Sequence, residues 1–257
     1  MTEINRHDLF GKEEFSTEAH IPILDHDTYL LADLKMPPNA RGVVLFAHGS
    51  GSGRHSLRNK AVARYLVSRG MGTFLLDLLT VEEERIDNVT RDLRFDIQLL
   101  AKRLVMATHW IRTQLVSSDL PLGYFGASTG AAAALVAAAE LQDEIAAVVS
   151  RGGRPDLAGS DLSDVTSPTL LIVGGRDAAV EVLNKQAWKR LCCRKEIVII
   201  PGATHLFEEP GTLEQVSVLA AEWFDHHFSP LGISGKQSQY EPESSRTHRV
   251  REGGVLR

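Results

Sequence analysis

The stretch LGYFGASTG, residues 122–130, decides how this chain is read. Its last five residues match G-x-S-x-G around Ser128. Residues 122–125 predict a buried strand, and Ser128 opens an alanine-rich segment that predicts a helix up to Leu141. A serine on such a sharp strand-to-helix turn projects its hydroxyl above the sheet edge, which favours a nucleophile. The alternative is a turn of small residues with an incidental serine.

Asp177 and His205 are the candidate acid and base for Ser128. Asp177 follows a predicted strand at 170–173, and His205 follows another at 197–200. The carboxyl ends of parallel strands share one edge of a sheet, which is where ligands bind. A serine hydroxyl needs a base, and the base needs an orienting acid. Taken alone, Asp177 would usually be interpreted as a turn residue or helix cap, and His205 as a solvated loop residue. The prediction therefore rests on their joint placement at the ends of parallel strands.

The glycine-rich loop AHGSGSG, residues 47–53, follows the first predicted strand at 43–47. Its glycines let the backbone turn and expose its amides. We expect the backbone N–H groups of Ser50 and Thr129 to form an oxyanion hole, since acyl transfer needs donors at that position. His48 is predicted to shape the loop and not to take part in catalysis. A flexible Gly/Ser loop is the alternative.

Short apolar runs alternate with segments of helical periodicity from residue 43 onwards. Strands are predicted at 43–47, 73–77, 120–125, 145–149, 169–173 and 196–200, with helices between them. This alternation indicates βαβ units and a mainly parallel sheet. Residues 19–24 and 28–34 predict an antiparallel hairpin at the sheet edge. The gaps between Ser128, Asp177 and His205 each hold only a helix, a strand and a connection, so no large cap domain is expected.

The chain resembles an α/β-hydrolase of the dienelactone-hydrolase-like group over most of residues 15–228. The resemblance rests on residues 48–52, 126–130, 174–177 and 204–205. It implies a twisted, mainly parallel eight-stranded sheet with helices on both faces, and hydrolysis of an ester-like bond. The chain order Ser128, Asp177, His205 is the order of α/β-hydrolases. Dienelactone hydrolase proper carries a cysteine where this chain has Ser128.

Four arginines are predicted near the catalytic rim: Arg54 and Arg58 follow the glycine-rich loop, and Arg151 and Arg154 follow the predicted strand at 145–149. Arginine suits bidentate recognition of a carboxylate, so these residues are candidates for binding an anionic substrate. Surface arginines paired with neighbouring acids or with solvent are the alternative. An uncapped site offers little apolar surface for a long acyl chain, so small substrates are expected.

Composition excludes several classes of protein. The 257 residues carry a net charge of −5, which gives a nucleic acid no overall attraction. The two cysteines, Cys192 and Cys193, are adjacent, which excludes a disulfide framework. The stretch MTEINRHDLFGKEE mixes acids and bases and is not expected to act as a secretory signal, and no apolar run approaches the roughly 18 residues of a membrane helix. We therefore expect a cytoplasmic protein without a membrane partner. Its oligomeric state is left open.

The sequence as a whole predicts a single domain over residues 1–228 and a flexible polar tail over 229–257. The expected function is a serine hydrolase that cleaves carboxylic esters or lactones through an acyl-enzyme on Ser128. No metal or other cofactor is expected. Two alternatives stay open: acyltransferase, thioesterase or peptidase chemistry on the same triad, and a non-catalytic ligand-binding member of the fold.

Overall fold

The structure is a computed structural model that describes residues 13–23, 28–115, 119–228 and 248–251. Six strands run parallel in the middle of one sheet, with antiparallel strands at both edges. The strands are β1 (Phe15–Pro22), β2 (Tyr29–Met36), β3 (Val43–Ala47), β4 (Gly72–Leu76), β5 (Leu122–Ala127), β6 (Ile145–Arg151), β7 (Thr169–Gly174), β8 (Lys195–Ile200) and β9 (His248–Arg251). Their order in the sheet is β1-β2-β4-β3-β5-β6-β7-β8-β9.

Strands β1 to β8 form the predicted eight-stranded, mainly parallel sheet. The predicted edge hairpin is β1 and β2, which pair antiparallel from Phe15 opposite Met36 to Pro22 opposite Tyr29. Residues 24–27, which join them, lie outside the described residues.

Strand β9 lies within the segment predicted as a flexible tail, where the sequence analysis placed no strand. It pairs antiparallel with residues 196–199 of β8. An edge strand presents unpaired N–H and C=O groups, and backbone groups alone can satisfy them, so the polar composition of the tail does not prevent pairing. The rest of 229–257 lies outside the described residues, and the domain boundary after Phe228 stays a prediction.

Helices cover both faces of the sheet, as predicted. Alternate side chains of β3 enter different cores: Val44 and Phe46 pack on one face, Leu45 on the other. This is the two-residue period of a strand buried on both sides. The helices are α1 (Leu57–Ser68), α2 (Val81–Thr90), α3 (Ile97–Gln114), α4 (Thr129–Leu141), α5 (Ala178–Arg190) and α6 (Thr212–Phe228). Helices α1 and α6 contribute to the core with Phe46, and α3 and α4 to the core with Leu45.

The rim above the carboxyl ends of the parallel strands carries only short elements. After β6 the chain makes 3-10 turns over Pro155–Asp164, and after β4 it forms the ten-residue helix α2. The prediction that no large cap domain is present is therefore confirmed for the described part of the chain. Among those residues, no helix combines the length and apolar character needed to span a bilayer. The cytoplasmic location stays a prediction.

Candidate active site

Ser128 occupies the turn between β5 and α4 in a conformation that L-residues rarely adopt. Its φ is 51° and its ψ is −122°. Three backbone hydrogen bonds hold it there. The Ser128 N–H donates to the carbonyl of Arg151 at 3.3 Å, and the Ser128 carbonyl accepts from Ala131 at 3.1 Å and Arg154 at 3.0 Å. Strained backbone of this kind persists only where surrounding contacts enforce it.

The glycines on either side of Ser128 permit close packing that any side chain would block. A Cβ on Gly130 would lie 2.3 Å from the carbonyl oxygens of both Ala47 and His48. A Cβ on Gly126 would lie 2.4 Å from the Cα of Ala131. The loop after β3 is thereby pressed against the start of α4, which puts its exposed amides beside the serine.

His205 and Asp177 meet at the same edge of the sheet. The Nδ1 atom of His205 lies 2.7 Å from Oδ2 of Asp177. Asp177 follows β7 and His205 follows β8, and their loops are in close contact, since a Cβ on Gly174 would lie 2.5 Å from the carbonyl oxygen of Ala203. A carboxylate that accepts from Nδ1–H fixes the tautomer that leaves Nε2 free to accept a proton.

Ser128 and His205 line one cavity of about 220 Å³, here called the catalytic cavity. Its wall is polar and includes Ser52 and Ser56, together with the side chain of Arg151. No aspartate or glutamate lines it among the described residues. The predicted nucleophile and base thus share a cavity that carries positive charge.

The two predicted oxyanion donors lie near Ser128: Thr129 follows it in the chain, and Ser50 lines the same cavity. Thr129 is the first residue of α4, where no side chain caps the helix, so its N–H group belongs to the orphan donors of a helix start. Ser50 lines the catalytic cavity. It also lines an adjoining cavity of about 50 Å³, and Thr129 lines that second cavity as well. The arrangement leaves both residues as candidates for the oxyanion hole.

His48 joins the loop after β3 to the end of β4. Its Nε2 accepts from the N–H of Leu78 at 3.0 Å, and its Nδ1 lies 2.9 Å from the carbonyl oxygen of Gly49. These two contacts fit the neutral tautomer with a proton on Nδ1. Burial also lowers the pKa of His48. Both ring nitrogens are therefore occupied, in keeping with the loop-shaping role predicted for it.

Two of the four predicted substrate arginines have other partners, which corrects the expectation for them. Arg54 is only 8% exposed and pairs with Glu18 at 2.7 Å and Asp77 at 3.1 Å. Arg154 donates two hydrogen bonds to Asp156, at 2.9 and 2.8 Å. Neither arginine lines the catalytic cavity. Carboxylates already occupy both guanidinium groups, so these residues stabilise loops.

Arg58 and Arg151 do line the catalytic cavity. Arg58 donates to Glu208 at 2.9 Å. Arg151 is 7% exposed and lies 6.0 Å from the ring centroid of Phe207. Burial, with the nearby charge of Arg58, lowers the pKa of Arg151 to about 10, so its guanidinium is still charged at neutral pH. These two arginines remain candidates for substrate binding.

Comparison with known proteins places the chain in a family. A crystal structure of a dienelactone hydrolase from Anabaena variabilis ATCC 29413 is 53% identical, with a TM-score of 0.81. The match covers 84% of this chain and 99% of that chain. This chain belongs to the dienelactone hydrolase-like family of α/β-hydrolases. The resemblance drawn from residues 48–52 and 126–130 is thereby confirmed, although no family model matches the chain.

The other proteins similar to this dienelactone hydrolase-like chain are either more distant in sequence or longer, so they show less about it. Est1E from Butyrivibrio proteoclasticus, at 18% identity and a TM-score of 0.66 over 82% of this chain and 98% of that chain, shares the fold. A Mycobacterium tuberculosis protein named as a candidate phosphoribosyl transferase is 54% identical over 224 residues. These residues are 84% of this chain and 50% of that protein, so the chain spans about half the length of the curated relatives it matches.

Helix α2 and the turn after it form part of the rim that the sequence analysis did not assign. The buried carboxylate of Asp87 accepts hydrogen bonds from the backbone N–H of Arg94 at 3.0 Å and from the Nε of Arg94 at 2.6 Å. Burial alone would raise the pKa of Asp87, but these hydrogen bonds and the charge of Arg94 lower it. Arg94 in turn lies against Gly51 of the glycine loop, where a Cβ would be 3.1 Å from its Nη1. The signal that could have located α2 is the capping box of Thr80 and Glu83.

Proposed function

We propose that this dienelactone hydrolase-like protein is a serine hydrolase that cleaves carboxylic ester or lactone bonds through an acyl-enzyme on Ser128. One observation carries the proposal. Ser128 occupies a strained strand-to-helix turn and shares a cavity with His205, whose Nδ1 lies 2.7 Å from a carboxylate oxygen of Asp177. Nucleophile, base and orienting acid are the three groups that acyl transfer requires.

The mechanism follows from the roles these atoms can take. Nε2 of His205 removes the proton from the Ser128 hydroxyl as the serine oxygen attacks the substrate carbonyl. The N–H groups of Ser50 and Thr129 stabilise the oxyanion of the tetrahedral intermediate. Asp177 holds the imidazole in position and stabilises its charged form. His205 then protonates the leaving alcohol, and later activates the water that releases the acid and restores Ser128.

Small substrates, and anionic ones in particular, fit the catalytic cavity best. A volume of about 220 Å³ leaves little room for a long acyl chain. Without a cap, additional methylene groups would stay in water and would not gain the roughly 0.8 kcal/mol that each buried CH₂ contributes. Arg151 adds a positive charge to the wall. We therefore assign esters of short acids, with a negative charge near the reacting bond, as the preferred class.

A fluorophosphonate probe tests the nucleophile directly, because it labels an activated serine whatever the natural substrate is. The wild type should label at Ser128, located by peptide mass spectrometry. Ser128→Ala should lose labelling and should lower the rate of ester hydrolysis by about 10⁴–10⁶-fold. Ser52→Ala is the matched control, since Ser52 lines the same cavity and should leave labelling intact. Labelling at another serine, or an active Ser128→Ala protein, would refute the proposal.

The chain-length preference needs a separate assay. Esters of one alcohol with acids of two to twelve carbons should show kcat/KM falling as the acyl chain grows. A maximum at the long-chain esters would mean that apolar surface absent from the catalytic cavity binds the chain. Labelling at Ser128 without hydrolysis of any ester in the series would favour the alternative acyl-transfer or peptidase chemistry.

A further inference from the structure

Arg151 is a buried cation that no acidic side chain of the described residues pairs with. It is the last residue of β6 and only 7% exposed, and its Nε and Nη1 atoms have no hydrogen-bond partner among the residues that the structure describes. Within the part of the chain that the structure describes, no carboxylate pairs with it. An uncompensated buried charge is costly in free energy. An anionic ligand in the adjoining cavity would supply the missing charge.

The surroundings of Arg151 share its preference for an anion. Arg58 lines the same cavity, and its Nε atom also lacks a hydrogen-bond partner. The N-terminus of α1 reaches the cavity through Ser56, the N-cap residue, and Asn59. The first turn of α1 contains no acidic residue. A helix N-terminus adds orphan N–H donors and the positive end of the helix dipole.

We propose that Arg151, Arg58 and the N-terminus of α1 form a phosphate subsite, so that the ester substrate carries a phosphate monoester group beside its scissile bond. A phosphate monoester has a charge of about −1.5 to −2 at pH 7 and three acceptor oxygens. Two guanidinium groups and a helix N-terminus match that charge and that number of acceptors better than they match one carboxylate. The subsite lies in the catalytic cavity with Ser128. Its role in substrate choice therefore rests on the proposed hydrolase function, whereas phosphate binding does not.

Arg58 can change partners at little cost. Its present partner, Glu208, is 61% exposed, and an ion pair to so exposed a group contributes little to stability. The cavity of about 220 Å³ is also several times the ~30 Å³ that one water occupies in the liquid, so it has room for a group larger than water beside Arg151.

Binding of inorganic phosphate to the full chain, measured by calorimetry against acetate at equal ionic strength, tests the subsite without any catalysis. Phosphate should bind more tightly than acetate. Arg151→Met should weaken phosphate binding by at least about tenfold, the loss expected from one charge-assisted hydrogen bond. Arg154→Met, whose arginine pairs with Asp156 outside the cavity, should change it less than twofold. Equal loss in both variants, or equal affinity for acetate, would overturn the subsite.

Thermal melting gives an independent readout that also shows whether the variant folds. In buffer without phosphate, Arg151→Met should still unfold in one cooperative transition, because it removes a costly buried charge along with the contact to the Phe207 ring. In phosphate, the wild type should gain more stability than Arg151→Met. Equal stabilisation of the two proteins by phosphate would overturn the subsite.

Matched substrates separate a phosphorylated substrate from free phosphate. The series is 2-acetoxyethyl phosphate, 3-acetoxypropionate and the neutral 2-acetoxyethanol, followed by acetate release. The phosphate ester should have the highest kcat/KM, and free phosphate should raise its KM and leave kcat unchanged. A preference for the carboxylate, or activation of the neutral ester by free phosphate, would overturn the substrate assignment. Phosphate binding without hydrolysis of any ester would instead refute the hydrolase proposal and leave the subsite intact.

Discussion

Replacing Ser128 with glycine should produce an inactive protein that is more stable than the inactive Ser128→Ala protein. Ser128 has a φ of 51° and a ψ of −122°, a conformation that strains any residue with a Cβ. Alanine keeps the Cβ and therefore keeps the strain. Glycine has no Cβ and adopts positive φ freely. The two variants lose the same hydroxyl and differ mainly in the free-energy cost of the backbone conformation at residue 128.

The size of the difference follows from two opposing effects. A strained backbone of this kind costs about 1–3 kcal/mol, which glycine recovers. Glycine also gives the unfolded chain more freedom than alanine, which costs about 0.4–1 kcal/mol. The balance favours Ser128→Gly by about 1 kcal/mol. For a protein near this size, that corresponds to a melting temperature about 2–4 °C higher.

Differential scanning calorimetry of the two variants measures this difference, and an ester assay verifies that both are inactive. Arg64, exposed in the middle of α1, provides the matched control. Arg64→Gly should melt at a lower temperature than Arg64→Ala, because glycine in a helix costs about 1 kcal/mol of stability relative to alanine. If Ser128→Gly melts at or below Ser128→Ala while the Arg64 pair behaves as expected, the backbone at Ser128 is not strained and the reasoning fails.

Three further predictions concern the same site and one concerns the end of the chain. Asp177→Asn should lower kcat at pH 7 by about 10⁴-fold while leaving circular dichroism unchanged, because the amide favours the wrong histidine tautomer. Gly130→Ala, which would stabilise an ordinary helix, should lower the melting temperature by several degrees, since its Cβ would lie 2.3 Å from two carbonyl oxygens. Asp87→Asn should destabilise the protein at pH 7, and denaturant titrations should show the difference shrinking as pH falls below about 4. The pKa of Asp87 is lowered in the folded state, so its stabilising effect is present above the unfolded-state pKa and is lost as the carboxyl is protonated. Truncation after Phe228 should leave esterase activity within about twofold of wild type and lower the melting temperature by no more than about 2–4 °C, since only four residues beyond it join the described sheet.

The sequence predicts the strand-to-helix turn at Ser128 well because the determinants of its geometry are local. The glycines at 126 and 130 are required by contacts within a few residues of the chain or with the neighbouring strand. The apolar runs that precede Ser128, Asp177 and His205 predict strands, and a parallel sheet necessarily brings their carboxyl ends to one edge. Chemistry that depends on strand ends and tight turns can therefore be located from the order of the residues alone.

The segment between β4 and β5 is less predictable, because side chains interrupt its helical periodicity. Residues 91–115 predict one helix, but the structure begins α3 only at Ile97. Arg91 adopts a left-handed conformation with a φ of 62° that ends α2. The side chain of Asp96 then caps α3 by accepting from the N–H of Leu99 at 3.0 Å. Capping side chains offer the backbone alternative partners, which a pattern of apolar residues does not register.

The roles of the arginines depend on which side chains contact them in the folded chain. All four lie in loops, at a strand end or at a helix start near the predicted rim, and they look alike in sequence. Asp77, which binds Arg54, is 23 residues away, and Asp156, which binds Arg154, is only two away. An acid at either distance is common in any sequence, so its presence predicts nothing about pairing. Arg151 is distinguished by having no such acid among the described residues of the folded chain, a property that only the packed structure shows. That missing counter-charge, at the wall of the cavity that holds Ser128, favours an anionic ligand, and the addition of Arg58 and the N-terminus of α1 is what favours phosphate over a carboxylate.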